Sequence, residues 1–168
     1  MKITQRHFIR KSEVKTLKEE ILKQYDETFI NQIFPMKSNV ELILTESGDT
    51  LYAVNNELKI WKSKDGYIPV LTLLLNNRVE LKTVIVDFGA VRHVANGADI
   101  MRPGITTIDP LIKKGDILKI EEETHHRALA VGKAMFDAAE MESKDSGKVI
   151  MNLHTIQDPI WQFEKEFK

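Results

Sequence analysis

The chain of 168 residues contains no cysteine, which excludes disulfide bonds and thiolate metal sites and favours an intracellular protein. It also lacks a long hydrophobic run, because the longest one, residues 70–75, is interrupted by Thr72 and is too short to cross a bilayer. Residues 1–7 lack the apolar core of a signal peptide. These absences predict a soluble, cytoplasmic protein. Its composition, 42% hydrophobic and 29% charged, is ordinary for a globular fold.

Charge is nearly balanced overall but is distributed unevenly along the chain. The net charge is −1, yet residues 1–24 carry seven Lys or Arg against three Glu, whereas residues 80–168 carry twelve basic against fifteen acidic residues. A basic N-terminal segment is typical of a surface that binds phosphate, and it is equally typical of a solvated helix face. Charge alone leaves both interpretations open.

Helical periodicity comes first along the chain. Residues 12–24 carry apolar residues at helical spacing, with Ser12 as the expected N-cap, and Asp26 is expected to cap a second helix that ends at Pro35. Strand-like segments follow at residues 40–44, 51–54 and 58–61, and a short helix is predicted at residues 68–75 with Pro69 in its first turn. This order predicts a small α+β domain over residues 1–77.

The second half is mostly β. We expect strands at residues 83–86, 98–102, 117–120, 128–135 and 148–154, and a polar connection without regular structure at residues 138–146. Asp87 is expected to cap one short helix, residues 88–95, which Gly97 closes. Short strands at close spacing predict a small barrel over residues 78–168.

Chemistry-bearing residue types are present but do not form a known catalytic or metal-binding pattern. Three glutamates at residues 121–123 precede His125 and His126, but adjacent histidines on a strand point to opposite faces, so we expect an acidic, solvated turn there. Asp87 and His93 lie too far apart on a short helix to act as an acid–base pair. No nucleophile elbow, phosphate-binding loop or dinucleotide fingerprint occurs. The sequence therefore predicts no catalytic residue, no metal site and no cofactor.

Residues 95–105, ANGADIMRPGI, place two turn signals on either side of a short strand. Asn96-Gly97 and Pro103-Gly104 are both typical of turns, and glycine is tolerated wherever φ is positive. Two turns of bare backbone this close together serve either packing or the close approach of another molecule.

Residues 83–105, TVIVDFGAVRHVANGADIMRPGI, resemble the PUA domain, a small pseudo-barrel that binds RNA in tRNA- and rRNA-modifying enzymes and some translation factors. Residues 114–116 and 130–132 follow in the matching order. Upstream, residues 17–25 and 29–35 resemble the pre-PUA domain of the malignant-T-cell-amplified-sequence proteins, and residues 158–163 resemble the C-terminal end of that family. The resemblance implies an α+β fold in which a pre-PUA α+β domain precedes a mostly-β PUA pseudo-barrel.

The resemblance also implies where RNA binds, since the first helix, the glycine loop and the adjacent strand form the RNA groove of PUA modules. Bare backbone at Gly97 and Gly104 is expected to let a phosphate or a terminal nucleotide approach main-chain N–H groups. The expected cations of the groove are Arg92, His93 and Arg102, its expected apolar floor is Ala98, Met101 and Ile105, and Asp99 and Pro103 complete the motif.

Further cations are expected to neutralise phosphates, because the PUA half is net negative and RNA affinity depends mainly on phosphate contacts. Lys113 and Lys114 are expected to cluster near the groove. Lys11, Lys15 and Lys18 on the first helix are expected to contact the RNA backbone, which gives one RNA-binding surface across both domains.

The functional expectation is a non-catalytic RNA-binding protein. The malignant-T-cell-amplified-sequence family is similar to the front half of ligatin and acts with a density-regulated partner on the small ribosomal subunit. The resemblance therefore implies a translation-associated factor that engages the 3′ acceptor end of tRNA and the small ribosomal subunit, together with a protein partner. Two alternatives stay open: an RNA-binding accessory subunit of a tRNA-modifying enzyme, such as a split tRNA-guanine transglycosylase, and a protein-interaction module.

Overall fold

The computed structural model describes all 168 residues as two β-sheets and six α-helices. None of the helices is long and apolar enough to cross a membrane. The first sheet precedes the second along the chain, as the change in sequence pattern predicts. The class is α+β, as expected.

The N-terminal sheet is antiparallel, and its five strands lie side by side in chain order. They are β1 (Ile3–Phe8), β2 (Val40–Thr45), β3 (Thr50–Val54), β4 (Glu57–Ser63) and β5 (Gly66–Pro69). Two helices, α1 (Lys11–Leu22) and α2 (Glu27–Ile33), connect β1 to β2, and α3 (Leu71–Leu75) follows β5.

Local signals explain most of these boundaries. The Asp26 carboxylate accepts the Phe29 N–H at 2.9 Å, as the predicted cap of α2 should. Helix α1 begins two residues earlier than predicted: its N-cap is Arg10, whose N–H donates to the Glu13 carboxylate at 2.7 Å, and Ser12 lies inside the helix. Asn55 and Asn56 both have positive φ, which suits the tight turn between β3 and β4.

The predicted start of the third helix is wrong, and one strand of this half was missed. Ile68 and Pro69 belong to β5, where Ile68 faces Trp61 of β4, and the helix begins only at Leu71. Strand β1 was not predicted at all. It pairs with β2 along one edge of the sheet, and Arg6 fixes it there through two hydrogen bonds to the buried carboxylate of Glu41, at 2.8 and 3.1 Å.

The second sheet has six strands in the order β7-β11-β10-β9-β6-β8. These strands are β6 (Thr83–Val86), β7 (Ile100–Met101), β8 (Ile105–Ile108), β9 (Ile117–Glu122), β10 (Ala128–Ala134) and β11 (Lys148–Thr155). A single 3-10 turn, Arg102–Gly104, joins the two edge strands β7 and β8, so the sheet curves into a nearly closed barrel. This is the predicted pseudo-barrel.

The second half of the chain contains three helices: α4 (Phe88–Ala95), α5 (Ala138–Ser143) and α6 (Pro159–Glu166). Helix α4 has the predicted bounds. The segment predicted as an irregular connection is instead helical, because Met141 of α5 is fully buried in the barrel core. Helix α6, which was not predicted, begins at Asp158, whose carboxylate accepts the Trp161 N–H at 2.8 Å.

Each sheet covers its own hydrophobic core, but the C-terminal helix crosses between them. Ile160 and Phe163 of α6 are buried with residues of α1, α2 and the first sheet, and Val131 of β10 joins the same cluster. The second cluster lies inside the barrel. A division of the chain at residues 77 and 78 therefore stays a prediction, since α6 belongs to the first core in space.

Candidate nucleic-acid interface

The N-terminus of α4 is closed by carboxylates. The Asp87 side chain accepts the Ala90 N–H at 2.9 Å, as predicted for a cap, and the Glu123 side chain accepts the Phe88 N–H at 3.1 Å. Negative charge is favourable at this end of a helix. Because two carboxylates already lie there, this end of α4 is not where an anion would bind.

The C-terminus of α4 faces the segment that resembles the PUA motif. Gly97 has a φ of +93°, its N–H donates to the Val94 carbonyl at 3.0 Å, and the next N–H, from Ala98, donates to the His93 carbonyl at 3.0 Å. This pair of bonds is the Schellman arrangement that ends a helix. Gly97 thus caps α4 as predicted, but its N–H group, which was expected to face a phosphate, is already bonded, and so is that of Ala98.

Gly104 lets the 3-10 turn lie against α4. A Cβ atom at Gly104 would be only 3.0 Å from the Ala90 Cβ, and the Gly104 carbonyl accepts the Asp87 N–H at 2.8 Å. The absence of a side chain at Gly104 therefore allows the close packing that shapes one wall of a groove.

This groove, which we call the α4 groove, has a volume of about 580 Å³. Its lining residues come from α4, the glycine loop, β7, the 3-10 turn and the start of β11: Ala90, His93, Val94, Ala98, Asp99, Ile100, Met101, Gly104 and Lys148. Five of them, His93, Ala98, Asp99, Met101 and Gly104, were predicted RNA-binding residues. The floor is largely apolar, and half of the Met101 surface is exposed.

A polar network fastens the glycine loop to β11. One carboxylate oxygen of Asp99 accepts a hydrogen bond from the Lys148 ammonium at 3.1 Å, and the other accepts one from the backbone N–H of Asn152 at 2.8 Å. The Asn152 side-chain amide donates to the carbonyls of Val94, at 3.0 Å, and Ala98, at 2.9 Å. Since each of these bonds joins β11 to α4 or its loop, the network holds the α4 groove open in one shape.

Lys148 and Asn152 were missed by the sequence-based site prediction. Lys148 lies opposite Met101 in the pairing of β11 with β7, and that pairing joins segments almost fifty residues apart. The local motif contains no signal for it. The only available sign was the strand predicted at residues 148–154.

Two predicted groove residues have internal roles. The Arg102 guanidinium donates to the carbonyls of Met141, at 2.8 Å, and Ile105, at 3.2 Å, and its side chain is only 18% exposed. It braces α5 against β8 and offers little to a phosphate. Ile105 is buried in the barrel core and does not form part of the groove floor.

The remaining predicted residues lie outside the α4 groove. Arg92 is exposed on α4, and Pro103 is exposed on the 3-10 turn. Lys113 and Lys114 lie on the loop between β8 and β9, where their N–H groups donate to the carboxylates of Asp116 and Asp137, at 2.8 and 2.7 Å. Neither of these two lysines lines the α4 groove. The lysine that does line it is Lys148.

The lysines of the first helix belong to a different groove. Lys11, Lys15 and Lys18 line a cleft between α1 and α2, beside the N-terminal sheet. These lysines and the residues of the α4 groove, which were predicted to form one RNA-binding surface, therefore line two separate grooves.

The expected solvated turn covers residues 123–127, which are exposed, but not Glu121 and Glu122, which end β9. Glu121 and Glu122 are buried, and Glu121 pairs with Lys119 at 2.6 Å. The carboxylate of Glu122 accepts N–H groups of the turn between β9 and β10, from Arg127, His125 and Thr124. The hydrogen bond from the Arg127 N–H contributes most to lowering the pKa of Glu122. The charged carboxylate is thus favoured in the folded protein, where it stabilises the turn.

Comparison with known proteins agrees with this architecture. The model of the Pre-PUA-like domain matches residues 1–77, and the model of the PUA domain matches residues 82–156. A crystal structure of a hypothetical protein from Pyrococcus horikoshii OT3 superimposes with a TM-score of 0.82 at 30% identity, over 95% of this chain and 99% of that one. A conserved PUA-domain protein from Thermoplasma acidophilum superimposes with a TM-score of 0.72 at 26% identity, over 98% and 100%.

Named relatives cover almost the full length. Translation machinery-associated protein 20 of Saccharomyces cerevisiae is 36% identical over 94% of this chain and 92% of its own, and malignant T-cell-amplified sequence 1 of Rattus norvegicus is 30% identical over 93% and 89%. An uncharacterized protein of Methanocaldococcus jannaschii is 37% identical over 98% and 99%. The chain therefore belongs to the Pre-PUA–PUA family that includes translation machinery-associated protein 20 and malignant T-cell-amplified sequence 1.

Proposed function

We propose that this protein is a non-catalytic RNA-binding translation factor whose α4 groove holds the unpaired 3′ acceptor end of tRNA on the small ribosomal subunit. Family membership supports the link to translation, which is also why we expect it to act in the cytoplasm. The observation that carries the proposal is the meeting of five predicted RNA-binding residues in one groove of about 580 Å³.

The chemistry of the α4 groove suits an unpaired nucleotide better than a duplex. Val94, Ile100 and Met101 form an apolar floor for the face of a base, and Lys148 at the rim can lie beside a phosphate. Single-stranded RNA is recognised mainly through stacking and base edges, whereas duplex binding relies on many phosphate contacts. The second half of the chain carries more acidic than basic residues, which disfavours a broad duplex surface.

The test compares deacylated tRNA with the same tRNA lacking its single-stranded 3′ end, across a salt series. The groove variants are Met101→Ala and Lys148→Ala, and the matched controls are Leu111→Ala and Lys23→Ala, which remove an exposed apolar and an exposed basic side chain outside the groove. We expect Met101→Ala to weaken binding of intact tRNA about three- to tenfold. Lys148→Ala should lower the salt slope by about one.

Loss of the 3′ end should reduce affinity for the parent protein and have little further effect on Met101→Ala. Equal binding of both tRNAs by the parent would contradict an end-binding groove. Sedimentation with purified small ribosomal subunits tests the second half of the proposal. If tRNA binds and the subunit does not, the accessory subunit of a tRNA-modifying enzyme becomes the better assignment, and a catalytic chain should then co-purify.

A further inference from the structure

The cleft between α1 and α2, which we call the α1–α2 groove, combines an apolar interior with a basic rim. It encloses about 560 Å³, and the loop that follows α2 closes one side. Its lining residues are Lys11, Val14, Lys15, Lys18, Glu19, Leu22, Glu27, Ile30, Asn31, Pro35, Met36, Lys37 and Ser38. The RNA-binding proposal for the α4 groove does not involve it.

The basic rim has no acidic partner within the chain. Lys11, Lys15, Lys18 and Lys37 form no ion pair, whereas seven other lysines and arginines of the protein do. Only Glu19 and Glu27 among the lining residues are acidic, so the groove carries an excess of two positive charges. A ligand with negative charge would complement it.

Two residues that line the α1–α2 groove expose apolar side chains that a phosphate-binding surface would not need. Met36 is 91% exposed, and 40% of Leu22 is accessible. The Ser38 hydroxyl donates to the Pro35 carbonyl and closes the short loop that carries Met36. Apolar side chains beside one row of lysines on α1 are complementary to a segment that is itself amphipathic and acidic.

We propose that the α1–α2 groove binds an acidic amphipathic helix of a partner protein. A helix rises about 1.5 Å per residue, so Lys11, Lys15 and Lys18 are spaced about 6 and about 4.5 Å along α1. A helix with acidic residues at i, i+4 and i+7 matches this spacing and turns an apolar stripe toward Met36. The alternative ligand is the RNA backbone, which was expected to contact these lysines. Its binding would depend on the lysines but not on Met36.

The experiment uses the full-length protein and a labelled synthetic peptide of about five helical turns, with Glu at i, i+4 and i+7 beside a leucine stripe. A peptide with the same composition in scrambled order is the negative control, and poly(U) is the RNA probe. Three variants are compared: Lys15→Glu with Lys18→Glu, Met36→Ser, and the matched control Lys23→Glu with Lys64→Glu. Lys23 and Lys64 are exposed lysines outside the groove.

Fluorescence anisotropy should show that the lysine pair and Met36→Ser each weaken the amphipathic peptide about tenfold or more, while the control pair keeps its affinity. Met36→Ser should leave poly(U) binding unchanged. No binding of the amphipathic peptide, or equal binding of the scrambled one, overturns the proposal. The proposal is also overturned if the Lys15→Glu and Lys18→Glu variant loses poly(U) binding but still binds the peptide. It is overturned as well if the protein forms a concentration-dependent dimer that Met36→Ser abolishes, since the groove would then hold a second copy of the chain. The peptide outcomes do not bear on the α4 groove.

Discussion

The Nε2 atom of His154 accepts a hydrogen bond from the backbone N–H of Leu71 at 3.0 Å. His154 lies on β11, the last strand of the barrel, and Leu71 begins α3, which follows the first sheet. This buried bond therefore joins the N-terminal half of the chain to the C-terminal half. Since Nε2 is the acceptor, the proton of the neutral ring is on Nδ1, and Nδ1–H donates to the Asp158 carboxylate at 2.6 Å. Asp158 also caps α6, and the three elements are thereby held together.

Replacing His154 tests this junction. His154→Phe preserves an aromatic ring but leaves the buried Leu71 N–H without a partner, and it removes the shorter of the two hydrogen bonds to Oδ2 of Asp158, where only the Thr155 N–H remains. We expect the free energy of unfolding to fall by about 2–4 kcal/mol, measured by urea denaturation. The same substitution at the exposed His125 is the control and should change stability by less than about 0.5 kcal/mol. Similar values for the two variants would show that the junction is not needed.

The pH dependence of stability follows from Asp158. Burial disfavours its charged form, but hydrogen bonds from His154 and from the N–H groups of Trp161 and Thr155 outweigh burial and lower its pKa below the ordinary value of 3.8. A lowered carboxyl pKa contributes stability above the unfolded pKa and loses it as the pH falls. The stability difference between the parent and Asp158→Asn should therefore be largest near pH 6 and shrink toward about pH 3.

Glu164 provides a control of opposite sign for that experiment. Burial raises its pKa above the ordinary 4.5, and the hydrogen bond from the Thr72 hydroxyl at 2.8 Å opposes the rise only in part. A raised carboxyl pKa lowers stability as the pH rises, so Glu164→Gln should gain stability relative to the parent above pH 4.5 and lose that advantage below it. Parallel pH profiles for the two variants would contradict at least one of the two assignments.

Gly132 marks a point where two strands approach too closely for a side chain. A Cβ there would lie 2.6 Å from the Ile150 Cγ2 and 3.0 Å from the Met151 carbonyl oxygen, next to an irregularity in the pairing of β10 with β11. We expect Gly132→Ala to lower the free energy of unfolding by about 1–3 kcal/mol. Gly89→Ala, on α4, places a Cβ in ordinary van der Waals contact, 3.5 Å from the Asp87 Oδ1, and should be neutral or slightly stabilising. A thermal melt of each variant is sufficient to compare them.

Signals that act within one helical turn made much of α4 predictable from the sequence. Asp87 and Gly97 mark its two ends, and both act as predicted. The composition of the α4 groove was only partly predictable, because Lys148 reaches it through the pairing of β11 with β7. Such a register depends on contacts between distant segments, which a local pattern does not contain.

The missed elements have physical explanations as well. Strand β1 is exposed at nearly every position and lacks the alternation of a half-buried strand, because its place depends on Arg6 and the buried Glu41. Helices α5 and α6 are short, and their apolar residues are too few to show a clear period. Asp158 followed by Pro159 was nevertheless an available sign that α6 begins there.

Arg102 was expected to bind RNA, but its guanidinium contacts α5, a helix that the sequence did not predict. Its guanidinium spans the carbonyls of Met141 and Ile105, so Arg102→Ala should lower the free energy of unfolding by about 2–3 kcal/mol. Arg102→Lys should restore little, because one ammonium cannot span both carbonyls as the planar guanidinium does. At a temperature where all variants are folded, both should bind tRNA within about twofold of the parent. The exposed Arg92→Ala is the stability control. A large loss of tRNA affinity by a folded Arg102→Lys would instead assign Arg102 to the RNA-binding surface.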